Sequence, residues 1–202
     1  MKRKSYSAGA VKFSFWFMEF RKVVQLLASG KDYKEIKRLS EEENIFGAST
    51  PARAAVICST TTARAKALDP SFIPLFMDSD VGTQKLFAHA AVLAHDTLFF
   101  DFVYEVIREK LIIGSNELAD SDIRIFFKNK QEQDEKVASW KDYTLHRLGT
   151  CYKTQLYEAG LLDDNKFSNT RKILKPILDP VLKHWMEDCG LYSLVKAFEG
   201  VR

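Results

Sequence analysis

Between Val137 and Ala159 apolar residues stand at Val137, Trp140, Leu145, Leu148, Tyr152, Leu156 and Ala159, at intervals of three to five. Only a helix turns that spacing into one continuous stripe, so a helix from about Lys136 to Ala159 with one buried face is expected. At about 100° per residue the opposite face collects Lys136, Ser139, Tyr143, His146, Arg147, Thr150, Lys153, Thr154 and Tyr157, with Asp142 the one acid there. Hydroxyls, an imidazole and cations without carboxylates suit an approach to phosphates and base edges. A polar helix face alone is equally compatible with plain solvation, so the flanking segments decide its meaning.

Upstream, Asp120 and Ser121 are N-cap candidates for a helix carrying Ile123, Ile125, Phe126 and Phe127. Downstream, Gly160 is placed to cap the long helix, Leu161 and Leu162 return to the core, and 163–169 is turn-rich and polar. The basic run Thr170-Arg171-Lys172-Ile173-Leu174-Lys175-Pro176-Ile177 is too short and too proline-bounded for a helix, and reads as half of a wing hairpin. Capped helix, long helix and basic extended segment follow the order of a winged helix-turn-helix.

The N-terminal third repeats the theme. Phe13, Phe17, Phe20, Val24 and Leu27 share one face of a helix ending near Ser29-Gly30. Asp32 is placed to cap a short second helix with Ile36 and Leu39 inward and Lys34, Lys37 and Arg38 outward. After a turn at Asn44–Gly47, Ser49 or Thr50 caps a third helix that has Pro51 in its first turn. Its inward set is Ala54, Ile57, Cys58, Thr61, Ala65 and Leu68, and its outward set Arg53, Thr60 and Arg64, with Lys66 nearby. Asp69-Pro70 opens a further helix through Phe72, Leu75 and Phe76, and 83–113 reads as one or two long helices hydrophobic on most sides, the central packing element. Asp101, Glu105 and Glu109, spaced by four, read as a solvated face of it.

The net charge of +3 hides an asymmetry. Residues 1–40 carry ten Lys or Arg against three acids, 81–135 six against ten, and 136–202 eleven against eight. A polyanion is therefore met by the ends of the chain. No apolar run reaches the ~20 residues of a membrane span, and Tyr6-Ser7-Ala8-Gly9-Ala10 is no signal-peptide core, so a cytoplasmic protein without membrane contact is expected. Cys58, Cys151 and Cys189 are too few and too far apart for a disulfide framework or a zinc site. The nine glycines form no phosphate loop, and His89 and His95 lack the four-residue spacing of a metal pair. No catalytic residue, metal or cofactor is assigned.

These readings give an all-α, mainly helical chain with a short β-hairpin wing. Two helical subdomains divide near Ser79, one helix-turn-helix-like over 1–78 and one winged-helix-like over 79–202. Candidate contacts to double-stranded DNA are Arg53, Thr60, Arg64, Lys66, Lys136, Tyr143, His146, Arg147, Thr150, Lys153, Arg171, Lys172 and Lys175.

Several blocks point further: Tyr6-Ser7-Ala8-Gly9 leading to Lys12-Phe13-Ser14-Phe15, Phe99-Phe100-Asp101-Phe102-Val103-Tyr104-Glu105-Val106, Asn116-Glu117-Leu118 with Asp120-Ser121-Asp122-Ile123-Arg124-Ile125-Phe126-Phe127, Glu158-Ala159-Gly160-Leu161-Leu162 and Pro176-Ile177-Leu178-Asp179-Pro180. Across nearly the whole length the chain resembles the BrxA family of bacterial BREX phage-exclusion systems. The resemblance implies a cytoplasmic, mostly helical protein without known catalytic activity that binds double-stranded DNA alongside other BREX proteins. That family is also compared with NusB-type factors, so an RNA- or protein-binding adaptor is the alternative. No contact residue is transferred from the family.

Overall fold

The computed structural model describes residues 3–165 and 168–202; Lys166 and Phe167 of the expected polar turn, and Met1 and Lys2, lie outside the described residues. The chain folds as two compact units, Phe15–His95 and Met1–Ser14 with Asp96–Arg202.

The first unit holds α1 (Phe17–Ala28), α2 (Tyr33–Glu43), α3 (Pro51–Ala65), α4 (Phe72–Asp78) and α5 (Val81–His95). Local chemistry sets most of these ends. The Asp32 carboxylate accepts from Glu35 N at 2.7 Å and opens α2, and Asn44, in the left-handed region at φ 45°, closes it. Thr50 accepts from Arg53 N at 3.2 Å ahead of Pro51, the pairing of cap and first-turn proline that a helix start favours. Phe20, Phe72, Phe76 and Phe87 form one aromatic cluster with ring centroids 5.9–6.3 Å apart. The sequence-based division near Ser79 shifts to the end of α5, because α5 packs on α1, α3 and α4 and its residues 86–94 are all buried.

The second unit begins with a 3-10 turn at Gly9–Lys12, and the chain returns to it at α6 (Thr97–Phe102). Asp96 separates α5 from α6 by capping Leu98 N and Phe99 N, each at 3.1 Å. A π-helical turn over Val103–Ile107 links α6 to α7 (Arg108–Ile112), and then come β1 (Glu117–Ala119), α8 (Asp120–Gln133), α9 (Glu135–Ala138), α10 (Asp142–Glu158), β2 (Thr170–Lys172), α11 (Pro180–Asp188) and α12 (Tyr192–Glu199). The single helix expected from Lys136 is therefore two. Asp134 caps the short α9 through Val137 N at 2.9 Å, a turn closes it from Trp140 N to Val137 O, and Lys141 is extended at ψ 149°. The buried stripe of α10 is as read: Leu145, Leu148, Tyr152, Leu156 and Ala159 face inward, and Tyr152 stacks on Phe99 at 4.1 Å and 4°. Gly160, at φ 80°, ends the helix while Leu161 N reaches back to Leu156 O at 2.8 Å, the closure a left-handed cap provides.

Asp101, expected on a solvated face, is 3% exposed. It accepts from Arg3 Nη1 and Nη2 at 3.0 and 2.7 Å and from Tyr6 Oη at 2.6 Å. Lys130, 4% exposed, lies 3.8 Å from the same carboxylate and bonds Glu105 at 2.6 Å. Burial works to lower the Lys130 pKa, but Glu105, Tyr6 and Asp101 outweigh it and the net shift is upward. Asp101 thus anchors the N-terminal segment and Glu105 holds Lys130 of α8, while Glu105 and Glu109 are exposed as expected; the residues that cover Asp101 come from far along the chain, where helical spacing cannot reveal them.

Candidate nucleic-acid interface

The basic extended segment pairs on both sides. β2 runs antiparallel to β1, with Glu117 opposite Lys172, Leu118 opposite Arg171 and Ala119 opposite Thr170. On its other edge Leu162 bridges Ile173, Asp163 N donates to Lys172 O at 3.0 Å and Leu174 N to Leu161 O at 2.9 Å. The hairpin arm that the sequence left unassigned is therefore the stretch just after Gly160. Strand, α8, α10 and hairpin follow in that order, with β1 joining the hairpin from the other end of the segment.

On α10, Tyr143, His146, Arg147, Thr150 and Thr154 are exposed, while Lys153 and Tyr157 are half-buried. From Tyr143 to Tyr157 the sequence holds no carboxylate. Thr150 and Thr154 donate to His146 O and Thr150 O at 3.1 and 3.0 Å, so their hydroxyls offer acceptor lone pairs outward and leave phosphate binding to the cations. Arg147 Nη1 lies 3.4 Å from Tyr143 Oη. Lys153 is bound to Asp120 at 2.6 Å, which stitches α10 to the start of α8. On the sheet, period-two alternation sends Lys172 and Arg171 to opposite faces: Lys172 is exposed and Arg171 is 9% exposed. Lys175 is exposed beyond the strand, and Lys136 stands exposed on the separate α9.

Between α8 and α10 runs a groove of about 530 Å³. Ile123, Phe127, Leu145 and Gly149 line its floor, and Arg124, Lys128, His146 and Lys153 line its rim together with Asp120 and Asp142. Arg124 and Lys128 were missed in the sequence reading. Their signal was present, since residues four apart on a helix share a face, but α8 was read for its apolar run alone. Gly149 sets the depth of the groove: a Cβ there would stand 2.7 Å from Ile123 Cγ2, on a branched side chain with little room to give. Gly149→Leu is expected to destabilise the chain by about 1–3 kcal/mol through overpacking, read as a lowered urea midpoint; an unchanged midpoint would show that the two helices do not meet there.

The N-terminal candidates do not assemble into a second face. Thr60 and Arg64 are 6% and 3% exposed, which corrects their placement on an outward stripe of α3. Because α1, α2 and α5 all pack on this helix, it has no wide free face. Arg64 Nη1 donates to Phe15 O at 2.6 Å, and its guanidinium lies 5.9 Å from the Trp16 ring. Arg53 is exposed over the same indole at 4.8 Å, and Lys66 is exposed over Tyr33 at 4.3 Å. Trp16 itself holds a left-handed backbone at φ 52°, costly for a bulky residue, and is 8% exposed with both guanidinium groups within 6 Å of its ring.

Among the described residues no group of three or more His, Cys, Asp or Glu side chains is placed to hold a metal ion, and no single helix is long and apolar enough to cross a membrane.

Comparison with known proteins places this geometry in a family. The BrxA family model matches residues 4–190. BREX protein BrxA of Bacillus cereus (strain H3081.97) is 40% identical over 169 residues, covering 83% of this chain and 84% of that protein. BREX protein BrxA of Escherichia coli O9:H4 (strain HS) is 25% identical over 192 residues, covering 91% and 85%. A crystal structure of an uncharacterized protein from Magnetospirillum magneticum has the same fold, with a TM-score of 0.80 at 18% identity over 98% of this chain and 100% of that one. The chain belongs to the BrxA family.

Proposed function

We propose that this protein is a non-enzymatic, cytoplasmic, double-stranded DNA-binding component of a BREX phage-defence system, acting beside other BREX proteins through a winged helix-turn-helix built from β1, α8, α10 and the pairing of residues 161–163 with the 170–174 segment. The observation that carries the reading is the exposed face of α10, free of carboxylates from Tyr143 to Tyr157, flanked by the exposed cations Arg124 and Lys128 on one side. In this arrangement α10 enters the major groove, Arg124, Lys128 and Arg147 meet phosphates, and Lys172 and Lys175 of the wing reach the neighbouring backbone. Arg171 and Lys136 stand outside this contact set, Arg171 because it is buried on the sheet face opposite Lys172 and Lys136 because α9 is a separate helix.

Fluorescence anisotropy with a labelled duplex tests it. The double variant Arg124→Glu, Lys128→Glu is expected to bind at least about tenfold more weakly than wild type, a loss of about 1.4 kcal/mol or more, and Lys172→Glu, Lys175→Glu to show a smaller loss. Wild-type affinity in both would remove the interface. A RNA hairpin that outcompetes the duplex would favour the adaptor reading instead.

A further inference from the structure

The acidic middle of the chain forms a second surface that the DNA reading leaves unused. A groove of about 400 Å³ runs between α7 and α8, lined by Val106, Ile113, Ile125 and Phe126 and edged by Glu105, Glu109 and Asp122 against the single cation Lys110. Ile113 is 75% exposed and Ile125 is 58% exposed, a large apolar area to leave in water at adjacent positions. We infer that this groove docks a cationic amphipathic helix of a partner protein.

Charge chooses the occupant. The rim carboxylates are only partly occupied within the chain: Glu105 bonds Lys130, Glu109 bonds Arg108, and Asp122 accepts from Lys110 at 2.8 Å and from Ala119 N at 2.7 Å. A carboxylate has about four acceptor sites, so each retains capacity for a further donor. A purely apolar partner would cover these oxygens without replacing their water, at a desolvation cost. An anionic partner would meet the half-exposed carboxylates of Glu105 and Glu109, whose paired cations Lys130 and Arg108 are the more buried members. A helix with Leu or Ile anchors at i, i+3 and i+4 and Lys or Arg beside them fills the apolar floor and bonds the rim at once, the helix-in-groove mode of recognition. The placement on α8 allows both surfaces to act together. Arg124, Lys128 and Gln131 face the α10 groove, while Asp122, Ile125 and Asn129 face this one, stripes roughly 130° apart at 100° per residue. The cationic groove and the acidic one are thus opposite sides of a single helix, and the inference stands whether or not DNA occupies the first.

The test uses the full chain and two labelled synthetic helical peptides, one of leucines and lysines at helical spacing and one with glutamate in place of lysine. The leucine–lysine peptide is expected to bind at least about tenfold more tightly than the leucine–glutamate one, and Ile125→Glu with Glu109→Lys to weaken it by about tenfold or more, with the melting curve and duplex-DNA affinity unchanged. Hydrogen exchange on the wild-type chain, which needs no variant, is expected to show peptide-dependent protection confined to the stretch 105–113 and to α8. Equal binding of both peptides, undiminished binding to the variant, or protection elsewhere would overturn the inference. So would a dimer that Ile125→Glu converts to monomer, since the occupant would then be a second copy of this chain.

Discussion

Replacing Asp101 with alanine is expected to lower the unfolding free energy by about 3–5 kcal/mol, the usual cost of removing one partner from a buried charge network. Its carboxylate is 3% exposed and holds Arg3, Tyr6 and Lys130. Without it Lys130 keeps Glu105 alone among these acids, the Tyr6 hydroxyl loses its acceptor, and the N-terminal segment keeps on α6 the bond from Lys4 N to Thr97 Oγ1 at 2.9 Å but loses its charged anchor. The Arg3 side chain, 60% exposed, regains water and recovers part of the loss. Asp101→Asn keeps the shape and one acceptor oxygen and is expected to fall between the two. Urea unfolding of the three proteins measures the series; a loss below about 1 kcal/mol for Asp101→Ala would mean that the network adds little to the fold.

Acid is expected to weaken the chain through His89. This histidine, 0% exposed in the middle of α5, has its pKa pushed down to about 3 by burial and then by the nearby charge of Arg64. The folded state therefore takes up its proton later than the unfolded state, whose value is about 6.5. Stability from this group is fully present above about pH 6.5 and is lost as pH falls toward 3, at up to about 1.4 kcal/mol per pH unit. Carboxylates titrate across the lower part of the same window, so the difference between wild type and His89→Leu isolates the histidine. The variant is expected to show the shallower decline in stability from pH 6.5 to 4; parallel profiles would contradict the assignment.

Where the sequence was legible, the signals were local. Asp32, Asn44, Thr50-Pro51 and Gly160 act within one turn of chain, and each marks a helix end in the structure. The exposed face of α10 was equally readable, because a helix packed on one side obeys its own periodicity. α3 breaks that assumption: packed by three helices, it buries Thr60 and Arg64 on what its period alone marks as the outside. Asp101 was misread for a related reason, since its partner Arg3 lies 98 positions away. β1 spans only Glu117–Ala119, too short for a period-two pattern, and its pairing with β2 is set by tertiary packing. Arg124 and Lys128 were visible as an i, i+4 pair, but their meaning depended on finding α10 across the groove.

The salt dependence of duplex binding tests the central claim most directly. Arg124, Lys128, Arg147, Lys172 and Lys175 are all exposed in the one unit. If each neutralises one phosphate, log K against log salt falls with a slope of about −4 to −5, at roughly 0.9 per contact. Anisotropy titrations between about 50 and 200 mM salt should show that slope for the wild type and a slope shallower by about 2 for Arg124→Glu, Lys128→Glu. A slope near zero, or one that the double variant leaves unchanged, would contradict a DNA interface on α8, α10 and the hairpin.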